Sequence, residues 1–268
     1  MLGRTRQGWK TLPISPLSPP VTYRVRVHLP SVRLASHLNA LQHAQISAEV
    51  AAQAITEPEV AHHVVDRDQR LGLDPLTAHP LEQVLPELRL VERESWVLAL
   101  PVPGTPGALR GPRELNEAAL EAGEAVIGLT AGIALVPGRV GPAVQWRVFA
   151  AERPFTTLTP YDAERALNEV VLEAAATLTS LEIAAGTRPR PDTALRLAPG
   201  YPSRQLATAE RAARLLQAAD VALDDDGAAI SVYEADQRAR VLRRLRTAAS
   251  DALCAAVSFP PRPESSVG

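Results

Sequence analysis

Hydrophobic positions change period along this chain, and the changes divide it. Between Ser31 and Ile55 the apolar residues Leu34, Leu38, Leu41 and Ala48 fall near one helical face, with Ser31 a candidate cap. Ile46, Val50 and Ile55 continue that face less regularly, and Pro58 ends it. Residues 57–94 show no sustained period; they read as irregular, with short helical pieces between Pro75, Pro80 and Pro86. Trp96 to Leu100 is a short apolar run. After a loop rich in Pro and Gly, Gly111-Pro112 opens a helix predicted over 112–127, with Leu115, Ala119, Ala122 and Val126 as its stripe and Glu114 in its first turn. Residues 132–137 and 143–151 are strand-like: Val144, Trp146 and Val148 alternate with Gln145, Arg147 and Phe149.

The final third has helical period throughout. Thr159-Pro160-Tyr161-Asp162 reads as a capped helix start, followed by Leu167, Val170, Val171, Ala174, Leu178 and Leu181. Gly186, Pro189 and Pro191 stop that helix. A second helix is predicted from Ser203 to Leu223. A third opens at the capping box Ser231–Glu234 and carries Val241, Leu245, Ala248, Ala252 and Ala255. The fold class this predicts is α+β: a small antiparallel sheet with a packed helix, followed by a three-helix C-terminal array. The predicted regions are a basic, proline-rich disordered arm over 1–30, an α+β region over 31–158, a helical region over 159–258 and a tail over 259–268.

Composition adds constraints. The hydrophobic fraction of 46% supports a core, and the aromatic fraction of 4% means that Leu, Val, Ile and Ala must fill it. Net charge is −2, so no global field draws the chain to nucleic acid or an anionic membrane. The first acid is Glu49, preceded by Arg4, Arg6, Lys10, Arg24, Arg26 and Arg33. That acid-free stretch fits an arm, a targeting peptide or a misassigned start codon, since Met1 is the only methionine. Cys254 is the only cysteine, which excludes an intramolecular disulfide and a cysteine-built metal centre. No apolar run reaches the ~20 residues of a membrane span, and prolines interrupt any secretory core, so a cytoplasmic setting is expected.

Three groups bear on chemistry. The loop from Gly104 to Arg113 leads into a helix N-terminus and holds Arg110, Gly111 and Arg113. Outward amides and a positive dipole end suit a phosphate or carboxylate there, although the Walker and Rossmann patterns are absent. His62 and His63 with Asp66 and Asp68 are the densest potential ligands, but no histidine follows His79 to complete a set; a polar patch is expected, with no metal and no cofactor. Arg238, Arg240, Arg243, Arg244 and Arg246 form a basic run flanked by Glu234, Asp236 and Asp251. This is the pattern of an ion-paired helix face, so nucleic acid is not the expected partner. Cys254, among Ala252, Leu253 and Ala255, reads as a small core residue.

The run from Trp96 to Pro103, then Gly111-Pro112 with Asn116 and the helix through Ala125, resembles an uncharacterised family of actinobacterial proteins. So does Pro199-Gly200-Tyr201 leading to Leu223 and Asp224-Asp225-Asp226-Gly227. The resemblance implies a bacterial cytoplasmic setting and nothing about activity. Two functional readings stand. The first is a non-enzymatic interaction or assembly protein whose C-terminal helices meet a protein partner or a second copy. The alternative is a small-anion binding protein or enzyme that uses Arg110, Gly111 and Arg113.

Overall fold

The computed structural model describes residues 29–57, 59–154, 158–180, 195–224 and 232–259. Seven helices and six strands lie among them. In chain order they are α1 (Pro30–Gln42), α2 (Ala48–Thr56), β1 (His62–Val65), β2 (His79–Pro80), α3 (Leu81–Val91), β3 (Trp96–Ala99), α4 (Arg113–Ala122), β4 (Ala125–Gly128), β5 (Ile133–Val140), β6 (Ala143–Ala150), α5 (Pro160–Ser180), α6 (Ser203–Leu223) and α7 (Val232–Ser258). The α+β class holds, with α5, α6 and α7 packed together as a C-terminal array.

The strands form one six-stranded sheet in the order β2-β1-β6-β5-β4-β3. All neighbours are antiparallel except β1 and β6, which run parallel with His62 opposite Val144 and Val65 opposite Arg147. The sheet is therefore larger than predicted, because the segment read as irregular supplies β1, β2 and α3. A four-residue strand and a two-residue strand are too short to show a period, and β1 finds its partner some 80 residues away. The β5–β6 hairpin follows its alternation, pairing Ile133 with Ala150 through to Val140 with Ala143 around Gly141, whose φ is +59°.

Alternation sorts the strand residues onto two faces. Trp96, Leu98, Val126, Leu135 and Trp146 join the main core beneath α1, α3 and α7. Val97, Ala99, Ile127, Ala134 and Val136 face the other way and are covered by α4 through Leu115, Ala118 and Ala119.

Two predicted elements need correction. The helix over 112–127 ends at Ala122, because Gly123 takes a left-handed C-cap (φ 68°), and Val126 belongs to β4 instead. The helical stretch over 31–56 splits into α1 and α2 at a turn, and Ser31 does not cap it. Pro30 opens α1, and the Ser31 N–H donates to buried Glu124 Oε2 at 3.0 Å, so a carboxylate 93 residues away serves the helix start. The start of α5 matches expectation, since Thr159 Oγ1 accepts from the Asp162 N–H at 3.1 Å. Residues 1–28 of the predicted arm, Leu181, the stop at 186–191, Asp225–Gly227, Ser231 and residues 260–268 of the tail lie outside the described residues.

β3 is an edge strand, and side chains cover its free backbone groups. The Trp96 N–H donates to Asn39 Oδ1 at 2.7 Å, while Asn39 Nδ2 donates to the carbonyls of Trp96 (3.0 Å) and Val257 (3.2 Å). The Leu98 N–H donates to Ser258 Oγ at 2.9 Å, and the Tyr201 hydroxyl donates to the Val257 carbonyl at 2.7 Å. The last turns of α7 are thereby stitched to the sheet.

Candidate functional site

The Gly104–Arg113 loop begins with a tight turn closed by the Val102–Thr105 bridge; Gly104 (φ 83°) and Gly107 (φ 59°) supply its left-handed positions. Ala108 and Leu109 are buried beneath it. Arg110 pairs with Glu152, Nη2 to Oε2 3.0 Å, and its carbonyl accepts the Glu152 N–H at 3.1 Å. Arg113 Nε donates to Glu117 Oε1 at 2.6 Å, one turn along α4, and the Arg113 side chain is 84% exposed. Gly111 is closely packed: a Cβ there would lie 2.7 Å from Leu115 Cδ2 and 3.3 Å from the Ala150 carbonyl, so the buried Leu115 side chain would have to shift. The two guanidinium groups are each held by a different glutamate.

His62 and Asp66 part company once 62–65 is a strand. The His62 ring is buried, and Trp146 Nε1 donates to its Nδ1 at 3.1 Å. In the neutral ring the proton therefore sits on Nε2, which faces Glu59 Oε2 at 3.5 Å. Burial pushes the His62 pKa down, more strongly than Glu59 raises it. Asp66 accepts the N–H groups of Arg70 (2.8 Å) and Leu71 (2.7 Å) and shapes the loop after β1. Among the described residues no group of three or more His, Cys, Asp or Glu is placed to hold a metal ion.

The arginines of α7 pair with a flanking acid in one case and with acids on neighbouring helices in two, and the flanking Asp251 pairs with none of them. Arg240 bonds Asp236, Arg244 bonds Glu173 of α5 at 2.6 Å, and Arg246 bonds Asp220 of α6. Cys254 is buried, and burial pushes its thiol up to about 12, so it is not a thiolate near neutral pH.

The structure brings a different region together. α7 packs against both α5 and α6, which scarcely touch each other. Between α5 and α7 lies a groove of about 470 Å³, with Ala163, Ala166, Val170 and Ala248 among its walls and Arg240, Arg243 and Arg244 at its rim. A second cavity of about 220 Å³ lies between α7 and the 100–108 loop, reaching Thr105, Ser250, Asp251 and Cys254. The loop flagged by sequence thus forms a wall of a cavity, through its Thr105–Ala108 turn and not through its arginines. In the sequence Asp251 stood out only as an acid flanking the arginine run, and its i, i+4 and i, i+8 spacing from Thr247 and Arg243 is common to any solvated helix.

A mixed sheet edged by side chains, with a helical array built around α7, defines the class: an α+β protein. The chain belongs to the Rv1486c-like family: residues 31–160 match the Rv1486c-like protein, N-terminal domain, and residues 161–254 match the C-terminal domain. No curated protein and no solved structure matches the chain.

Proposed function

We propose that this chain is a non-enzymatic interaction or assembly protein of the bacterial cytoplasm, and that its C-terminal helices carry the partner surface. One observation supports this above others. α5 is 21 residues long, yet only Ala163, Leu167 and Ala174 are buried in it, and Leu172 is 72% exposed. A long helix so lightly covered gains little from its own fold, and covering it with a partner would bury more apolar area. Among the described residues no helix is long and apolar enough to cross a membrane.

Leu172→Asp is the discriminating variant, because Leu245 packs against the main core and a charge there would break the fold instead. The expected result is a wild-type oligomer by light scattering, or a protein retained from the native cytoplasm, that Leu172→Asp loses with an unchanged melting temperature. A wild-type monomer that retains nothing the variant fails to retain would retire the reading.

The second reading, a small anion at Arg110, Gly111 and Arg113, draws on α4 opening without a side-chain cap on its first amides. An anion there would compete with Glu152 and Glu117 for the arginines, which ranks it second. Its mark would be a thermal shift with phosphates or carboxylates that Arg110→Ala and Arg113→Ala abolish.

A further inference from the structure

The two cavities beside α7 are one cleft, since Leu158, Thr247 and Asp251 line both. Arg243, Thr247, Asp251 and Cys254 recur at helical spacing and mark the stripe of α7 that runs along it. Ion pairs within the chain occupy Arg240, Arg244 and Arg246. Among the charged residues that line the cleft, two are left over, Arg243 and Asp251. Arg243 stands on the outer groove without a hydrogen bond or ion pair to its guanidinium and senses Asp236 only at longer range. Asp251 stands where the two cavities meet, with no donor or cation on its carboxylate. Burial alone raises its pKa, which agrees with the absence of a compensating charge.

These opposite charges are eight residues apart, about 12 Å along the helix axis. Ala248 on α7 and Ala163, Ala166 and Val170 on α5 provide apolar wall along the outer groove. A simple cation would satisfy Asp251 and leave Arg243 open; a simple anion would do the reverse. A partly buried carboxylate without a partner is costly, so a ligand that brings a donor to it gains more than surface pairing would give. We propose that the cleft binds an elongated dipolar small molecule: a cationic nitrogen on Asp251, a carboxylate or phosphate on Arg243, and an apolar body between them. This surface is separate from the one proposed for partners, because Leu172 follows Val170 by two residues and is turned about 200° around α5.

The probes are ω-amino acids of increasing chain length, titrated by calorimetry into the full-length chain, with n-alkylamines and n-alkanoates as single-charge controls. Affinity is expected to peak at the length that bridges about 12 Å, with controls of equal length about tenfold weaker. Asp251→Asn should weaken the best probe about tenfold, and the more exposed Arg243→Gln about threefold, with melting temperatures preserved. No binding by any probe at millimolar concentration, a series without a length optimum, or variants that bind as wild type would each overturn the assignment. So would an alkanoate that binds as tightly as the ω-amino acid and ignores Asp251→Asn. None of these results bears on whether Leu172→Asp disrupts a protein contact.

Discussion

The sheet half and the helical half treat charge in opposite ways. In the sheet half, the buried carboxylates of Glu92 and Asp66 are held by backbone donors and hold loops in place. In the helical half, charges sit on partly covered faces, three ion pairs cross between helices, and Arg243 and Asp251 remain open on a cleft. Glu92 shows the first habit most fully: its carboxylate accepts from the N–H groups of Arg93 (3.0 Å), Glu94 (2.8 Å), Thr130 (2.8 Å) and Ala131 (2.9 Å) and from Thr130 Oγ1 (2.7 Å). One residue thereby pins the loop before β3 to the loop between β4 and β5. Gly128 makes room for it, since a Cβ there would lie 2.8 Å from Glu92 Oε2. The lesson is one of assignment: a buried acid with every oxygen occupied is architecture, whereas a half-buried acid with none occupied, such as Asp251, is available to a ligand.

The largest effect should come from emptying the Glu92 position. Glu92→Ala leaves five donors without that acceptor; a fully buried stranded donor costs about 1–3 kcal/mol, and these partly buried ones recover some of that from water. A loss of about 3 kcal/mol or more is expected in urea unfolding, against about 1–2 kcal/mol for Glu92→Gln, which keeps one acceptor oxygen. A Glu92→Ala chain as stable as wild type would show that the two halves do not differ as described.

Asn39 tests the seam between the halves. Asn39→Ala removes three hydrogen bonds and strands the Trp96 N–H, so about 2 kcal/mol should be lost. The loss should be directional: amide exchange should speed up in β3 and the last turns of α7, while β5 and β6 keep their protection. Uniform loss across the whole molecule would mean that the halves fold as one cooperative unit.

Much of this architecture was legible in the chain. The β5–β6 hairpin and α6, with bounds Ser203–Leu223, follow from clean periods of 2 and 3.6. The α4–β4 junction was not, because Val126 is apolar at a spacing that suits either element and only the left-handed Gly123 decides. Glu92, Glu124 and Asn39 gave no signal, since their partners come from loops and strands far away in sequence. The anion-site residues Arg110 and Arg113 were conspicuous in the sequence, yet Arg113 is held by Glu117 one turn along and the fold brings Glu152 to Arg110. Arg243 was visible only as one of five arginines; which of them stays unpaired depends on Asp236, Glu173 and Asp220, on three different helices.

The smallest and most regional effect is that of pH. His37 and His62 both lie in the sheet half, and no histidine follows His79. Burial lowers the pKa of both below the ordinary 6.5. The unfolded chain therefore takes up protons first, so the stability these residues allow is fully present above pH 6.5 and drains away as pH falls from there toward their folded values. Glu92 adds a later loss. Burial pushes its pKa up, but the bonds from Thr130, Glu94 and Ala131 outweigh that and hold it below the usual 4.5, so protonation begins to cost stability only below that value. Asp251 has the opposite sign: burial raises its pKa, the folded state binds the proton more readily, and acidification through its range favours the fold. Lowering the pH from 7.5 to 5.5 should therefore reduce amide protection in β1 and α1, around the two histidines, and leave α5 and the first half of α7 unchanged. Equal loss in the helices would place the acid sensitivity elsewhere, because no buried histidine exists there to produce it.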